Sequence, residues 1–243
     1  MNTIPIILVQ GGSGINGAPG SAGAKGVNGE PGANGGSKLR ACFASGNGGA
    51  GTDGGNGTTG TSGAGGATAP IMVMNLYHSL SGSLSIVSVG GQGGKGGNGG
   101  QGGQGGNGGN SGQTDVFSCL TNNKVPAAHG GAGGNGGQGG NGGAGGNGGD
   151  GGHVQINYGM GVNINQITPS CPGGPGGMGG EGGMGGTGGV GGLNETSSPK
   201  EPRTRAGSGG LGANGDVGKG GSVGCMGSFV RTEIPVGIRS RDL

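Results

Sequence analysis

The sequence predicts a bundle of about six antiparallel or mixed polyproline-II-type helices with short β-strand caps and essentially no α-helix. Three observations predict it. Glycine makes up 81 of the 243 residues. It holds a three-residue phase through six tracts: Gly11–Gly35, Gly48–Gly66, Gly90–Gly109, Gly130–Gly152, Gly173–Gly192 and Gly209–Gly227. Apolar, β-branched segments such as Leu84–Val89 and Val154–Tyr158 separate the tracts. A period of three belongs to a left-handed extended helix, not to an α-helix or a strand. A flexible linker has no reason to keep that phase over tract after tract.

The elements follow in chain order. Residues 1–10 read as an N-terminal strand through the apolar run Ile4–Val9. Residues 11–66 hold two outer Gly-x-x rods, each with one bare glycine face. The break between them, Ser37–Ser45, reaches at most about 30 Å, whereas a rod of such a tract runs about 60–75 Å. The first two rods are therefore expected to be antiparallel. Residues 67–89 form a β segment. Residues 90–192 hold three interior Gly-Gly-X rods, bare on two faces, with β-hairpin inserts; one hairpin is read at His153–Tyr158 and Val162–Ile167 around Gly159-Met160-Gly161. Residues 193–206 form a loop, 207–227 an outer rod and 228–243 a C-terminal strand and tail, the whole being one cooperative unit. Only 27% of the chain is hydrophobic, too little for a conventional core. Hydrogen bonds and close packing between rods are expected to take its place.

Composition excludes several classes. Eleven prolines are too few for a collagen triple helix. A net charge of +2 with sparse charges leaves no nucleic-acid footprint. No stretch is apolar for long enough to span a membrane, and the opening residues lack a signal-peptide pattern. The expected homes are the cytosol, a virion released by lysis or a cell surface reached by a non-standard route, and a virion or surface is favoured. Cys42, Cys119, Cys171 and Cys225 form no Cys-x-x-Cys pair, which argues against zinc. Bridges between tract ends and free buried thiols both fit.

Reactive motifs fail on inspection. Gly-x-Gly-x-x-Gly arises by chance in every tract, and the P-loop pattern breaks at Ala213 and Gly220. Gly48–Asp53 and Gly145–Asp150 open like calcium β-roll repeats, but Gly55 and Gly152 stand where an apolar residue is required. His78, His129 and His153 are isolated from acids in sequence, and the acids are scattered. No catalytic, metal or cofactor site is expected, and the chain reads as a non-enzyme.

Tracts such as Gly17-Ala18-Pro19-Gly20-Ser21-Ala22-Gly23 resemble the polyglycine II bundles of springtail antifreeze proteins. Glycine-rich motifs alternating with variable segments resemble the tail-fibre tip adhesins of T-even-like phages. Val87-Ser88-Val89 running into Gly90-Gly91-Gln92 resembles bacterial collagen-like proteins. The resemblance implies a glycine-rich scaffold that presents the segments between tracts, and it makes a protein or surface glycan receptor the expected partner. Candidate binding residues are Leu39, Phe43, Asn75, Tyr77, His78, Phe117, Asn122, Lys124, Asn163, Asn165, Arg203 and Arg205, because loops between rigid elements usually carry binding. Ice binding is an alternative, for which Thr58, Thr61 and Ala64 come closest to the flat face required. A structural subunit of a filament or virion, self-assembling through bare glycine faces, is another.

Overall fold

A computed structural model describes residues 4–38, 41–114, 125–196 and 200–235. Among them the only helix is a single 3-10 turn, Ile164–Gln166, and the strands gather into three small sheets. The glycine tracts themselves are neither helical nor paired as strands.

The tracts are joined by main-chain hydrogen bonds that advance three residues at a time in both partners. The first tract bonds to the second in opposite directions: Gly46 N–H donates to the Ala33 carbonyl, Gly49 to Glu30 and Gly55 to Ala24. The short first break therefore folds the chain back, as its length demands. The first tract also bonds in parallel to the third, with Gly14 donating to Gln92, Gly17 to Lys95 and Gly20 to Asn98. Parallel ladders likewise run from the second tract to the fourth, from the third to the fifth and from the fourth to the sixth. Antiparallel ladders join every consecutive pair of tracts.

The result is a two-layer slab. Tracts one, three and five run one way in one layer, and tracts two, four and six run back in the other. The third and fourth tracts each bond to four others, whereas the first and sixth lie at opposite edges and each bond to two. The second and fifth, unlike in glycine pattern, each bond to three others. Gly-Gly-X composition in the central tracts follows from this placement. At Gly139, for instance, a Cβ would overlap the Gly183 carbonyl of the adjoining tract.

In the Gly-Gly-X triplets of the third and fourth tracts both glycine amides bond to neighbouring tracts, one within the layer and one between layers, and the amide of X is left over. Asparagine takes it. Asn16 Oδ1 accepts from Lys95 N–H (2.9 Å), while Gly17 N–H donates to the Lys95 carbonyl (2.7 Å). One Asn-Gly step thus grips both sides of a single residue in the parallel tract beside it. The same clasp recurs with Asn28 on Asn107, Asn56 on Gln138, Asn98 on Glu181 and Asn141 on Asp216. Asp53 and Asp150 do the same to Asn135 and Cys225. Among the described residues no glutamine makes this bond, because its extra methylene carries the carbonyl past the donor.

All the strands but one hairpin lie at one end of the slab. β1 (Ile6–Gln10) leads into the first tract; β2 (Gly36–Lys38) and β3 (Ala41–Phe43) form an antiparallel hairpin at the other end. β4 (Met72–Leu76) follows the second tract and β5 (Leu84–Val89) precedes the third. β6 (Val154–Gly159) follows the fourth, β7 (Ile167–Ser170) precedes the fifth and β8 (Phe229–Ile234) follows the sixth. Two parallel sheets result, ordered β1-β5-β7 and β4-β6-β8. Each continues one layer of the slab.

This corrects the expected hairpin inserts. The expected second arm, Val162–Ile167, holds the 3-10 turn instead of a strand, and the strand after it, β7, lies in a different sheet from β6 and does not pair with it; β4 and β5 do not pair either. Each strand prolongs its own tract, so its bonding partner is set by the layer and not by the next strand in sequence. Gly161, with φ of 83°, turns the chain between the sheets. Between them lies a side-chain core, the only one among the described residues, in which Ile86, Val154, Ile156, Ile167 and Cys171 are buried against Met72, Met74, Leu84 and Phe229. Alternation along the strands supplies it: Met72, Met74 and Leu76 turn inward while Val73 and Asn75 face out.

Two consequences are measurable. Gly139→Val should lower stability by more than about 3 kcal/mol through backbone overlap, whereas Gln138→Val should melt within a few degrees of the wild type. Replacing Asn135, Asn141 and Asn147 together with glutamine should cost about 2 kcal/mol in thermal or urea unfolding, and replacing them with aspartate far less.

Candidate functional site

The segments between tracts collect at the two ends of the slab, so the sequence-derived candidates fall into two groups. At the strand end, β4 places Asn75 on the outer face, where its Oδ1 accepts from Asn157 Nδ2 (2.8 Å). Tyr77 and His78 follow in an exposed turn. Asn163 caps the 3-10 turn by accepting from Asn165 N–H (3.2 Å). At the opposite end, the tip, Phe43 is exposed in β3. Leu39, Phe117, Asn122 and Lys124 lie outside the described residues.

Arg203 and Arg205 also reach the tip, but there they bind the protein's own main chain. Arg203 Nε donates to the Asn194 carbonyl (2.7 Å), and Nη2 donates to Ser111 Oγ (3.0 Å) and the Leu193 carbonyl (3.2 Å). Arg205 Nη1 donates to the Gly191 carbonyl (3.0 Å). Both guanidinium groups anchor loop bases to tract ends.

A polar knot that sequence reasoning missed sits beneath them. Glu195 is only 8% exposed. Its carboxylate accepts from Ser45 Oγ (2.5 Å), Thr114 N–H (2.7 Å) and Ala128 N–H (2.8 Å), and its own N–H donates to the Ala128 carbonyl (2.8 Å). One side chain thereby ties together the bases of all three tip breaks, at 37–45, 113–129 and 193–206. Burial alone would raise its pKa, but the bonds from Ser45, Ala128 and Thr114 outweigh it and hold the carboxyl below its ordinary 4.5. In sequence Glu195 is one acid inside Asn194-Glu195-Thr196, and nothing local reveals donors supplied from distant breaks.

The remaining polar groups are accounted for more simply. His153 Nδ1 lies 2.5 Å from Ser228 Oγ at the junction of tract and sheet. Thr58 and Thr61, the residues closest to an ice-binding face, use their hydroxyl oxygens to accept from Ser21 and Ala18 N–H (2.7 Å each) along the edge of the first tract. Cys42 is in a disulfide, whereas Cys171 is a buried free thiol and Cys225 an exposed one. Burial pushes the Cys171 thiol up. Among the described residues no three His, Cys, Asp or Glu side chains converge as a metal site would require, and no helix is long and apolar enough to cross a membrane. No family model matches the chain, and no curated protein or solved structure matches it either.

The knot has a pH signature. Because the folded carboxyl titrates below its unfolded value, its stabilising contribution is complete above about pH 4.5 and is lost as pH falls through the folded pKa. Thermal melts should therefore drop in acid. Glu195→Gln should be less stable by about 2 kcal/mol at neutral pH and should show a shallower acid dependence. Cys225 should react with a thiol reagent well before Cys171.

Proposed function

We propose that the six tracts are polyglycine II helices and that the chain is a non-enzymatic recognition protein, a stiff shaft that presents its tip segments to a protein or surface glycan. At about 3.1 Å per residue such a shaft is roughly 60–75 Å long, which sets the tip well away from the strand end. The observation that carries this reading is the knot at Glu195. It fixes the bases of three breaks from distant parts of the chain side by side, while the residues between those bases include Phe43, exposed at the surface. Variable segments on a rigid base are the usual arrangement for binding. The resemblance to phage tail-fibre tip adhesins supports the same division into shaft and tip, and it favours a virion or cell surface as the setting.

Loop exchange tests it. Residues 37–44, 115–127 and 196–202, except Cys42 and Cys119, are replaced by an equal number of Gly and Ser residues, leaving the cysteines, Ser45, Thr114, Ala128, Glu195 and Arg203 in place. Binding of the labelled protein to glycan arrays and to intact bacterial cells is then measured against the parent chain. Loss of at least tenfold in binding with an unchanged melting temperature supports tip recognition. Equal binding by all three variants excludes it. Far-ultraviolet circular dichroism tests the scaffold separately: a coil spectrum that does not melt cooperatively would overturn the polyglycine II reading.

A further inference from the structure

We infer that the asparagine clasps hold shut a set of latent deamidation sites, which react only where a tract comes away from its neighbour. The inference concerns the chemistry of the shaft and holds whether or not the tip binds a receptor.

The chain contains eleven Asn-Gly steps and two Asp-Gly steps. At such steps a main chain readily attacks its own side chain, because glycine has no Cβ to shield the nitrogen. The Gly nitrogen bonds to the Asn Cγ and gives up its proton to solvent, while the Cγ–Nδ2 bond breaks and ammonia leaves. Water then opens the five-membered imide at one carbonyl or the other. One product is aspartate. The other is isoaspartate, in which the main chain runs through the former side chain and is longer by one carbon.

The structure occupies both reacting groups at every one of these steps. Each Asn or Asp side-chain oxygen accepts a main-chain N–H from elsewhere in the chain. Each following glycine donates its own N–H to a distant carbonyl. At Asn56, Oδ1 accepts from Gln138 N–H (2.8 Å), and Gly57 N–H donates to the Gln138 carbonyl (2.8 Å). On either side Gly55 and Thr58 donate to Ala24 and Ser21 of the first tract.

For the ring to close, the Gly57 nitrogen must leave its acceptor, and the main chain must turn about the Asn56 Cα–C bond. The side chain must turn with it. Each movement breaks a bond of the ladder or of the clasp. The N–H on Oδ1 acts the other way in one respect, since it draws electron density from Cγ. Geometry outweighs it, because a polarised carbonyl out of the nitrogen's reach does not react. The Gln-Gly steps at Gln92, Gln101, Gln104 and Gln138 lack the clasp and need none, since their ring has six members and closes slowly. Aspartate, once formed, keeps the clasp, as Asp53 does on Asn135 (2.6 Å) and Asp150 on Cys225 (2.7 Å). Isoaspartate shifts every rung beyond it against its partner.

Removing one donor tests the clasp and leaves the Asn-Gly step itself untouched. Gln138→Pro takes away the N–H that holds Asn56 Oδ1 but keeps the carbonyl that Gly57 uses. Proline suits an extended tract, and Pro175 already stands at the X position of the fifth tract, its carbonyl accepting from Gly93 (2.9 Å). Gln138→Ala retains the N–H and is the control. Asp216→Pro removes the donor to Asn141 in the same way. Each protein is held in mild alkali, and its peptides are followed by mass spectrometry for conversion of Asn to aspartate and isoaspartate. In the folded wild type every Asn-Gly step should deamidate at least tenfold more slowly than in the chain unfolded in guanidinium. Gln138→Pro should speed Asn56 at least threefold over Gln138→Ala and leave the other steps at their wild-type rate, and Asp216→Pro should do the same at Asn141. A smaller effect at both sites would overturn the inference. So would acceleration spread over every tract, which would place the protection in the stability of the whole fold.

Discussion

Everything in the slab depends on main chains lying close enough to bond directly, which only the absence of Cβ atoms permits. Each ladder takes one amide in three from a tract, and neighbours on two or three sides take them in turn. A tract surrounded by others, such as the third, can carry a side chain at one position of three. A tract at an edge is freer. The first tract accordingly bears Ile15, Ala18, Ser21 and Val27 at a phase that is glycine in the third, where a Cβ on Gly94 or Gly97 would overlap the carbonyls of Ile15 or Ala18. Burial in this protein is thus written as a phase of glycine and not as a stripe of apolar residues.

Direct bonding leaves two kinds of amide to satisfy, and polar side chains serve both. Inside each layer, asparagine completes the clasp on the parallel tract. Along the outer edges Thr52, Thr58 and Thr61 accept from the first tract, as Ser208 and Asn214 accept from the fifth. These edge side chains do for the slab what charges and prolines do for the outer strands of a β-sheet: they blunt a row of open donors. The two ends use different physics. At one end, apolar alternation builds a small core between sheets; at the other, a buried carboxylate and two arginines hold the loops. Neither end resembles the shaft, yet the shaft fixes both, because every break begins and ends on a tract already in register.

The scaffold was largely legible in the sequence, because its cause is periodic and local. The three-residue glycine phase, the antiparallel return forced by a short first break and the apolar strands between tracts all appear as runs of neighbouring residues. What escaped reading depends on which tracts meet. β6 and β7 look like a hairpin because they adjoin in sequence, but they separate because each follows its own layer. The asparagine ridges were legible as polar rows, and nothing in them told Asn98 from Gln101 until the parallel neighbour was in place. Arg203 has the look of a surface contact and instead spends its donors on Ser111, Asn194 and Leu193. Glu195 is the extreme case, its three donors arriving from residues far away along the chain.

The three-residue register of the ladders also constrains how the gene can change. Removing one codon within a tract would rotate everything downstream to the wrong face and set Cβ atoms against neighbouring carbonyls. Removing three in a row would restore the phase but leave that tract one rung short of those on either side. Length variation among descendants of this sequence should therefore come in whole triplets, shared between adjoining tracts or absorbed in the segments at their ends.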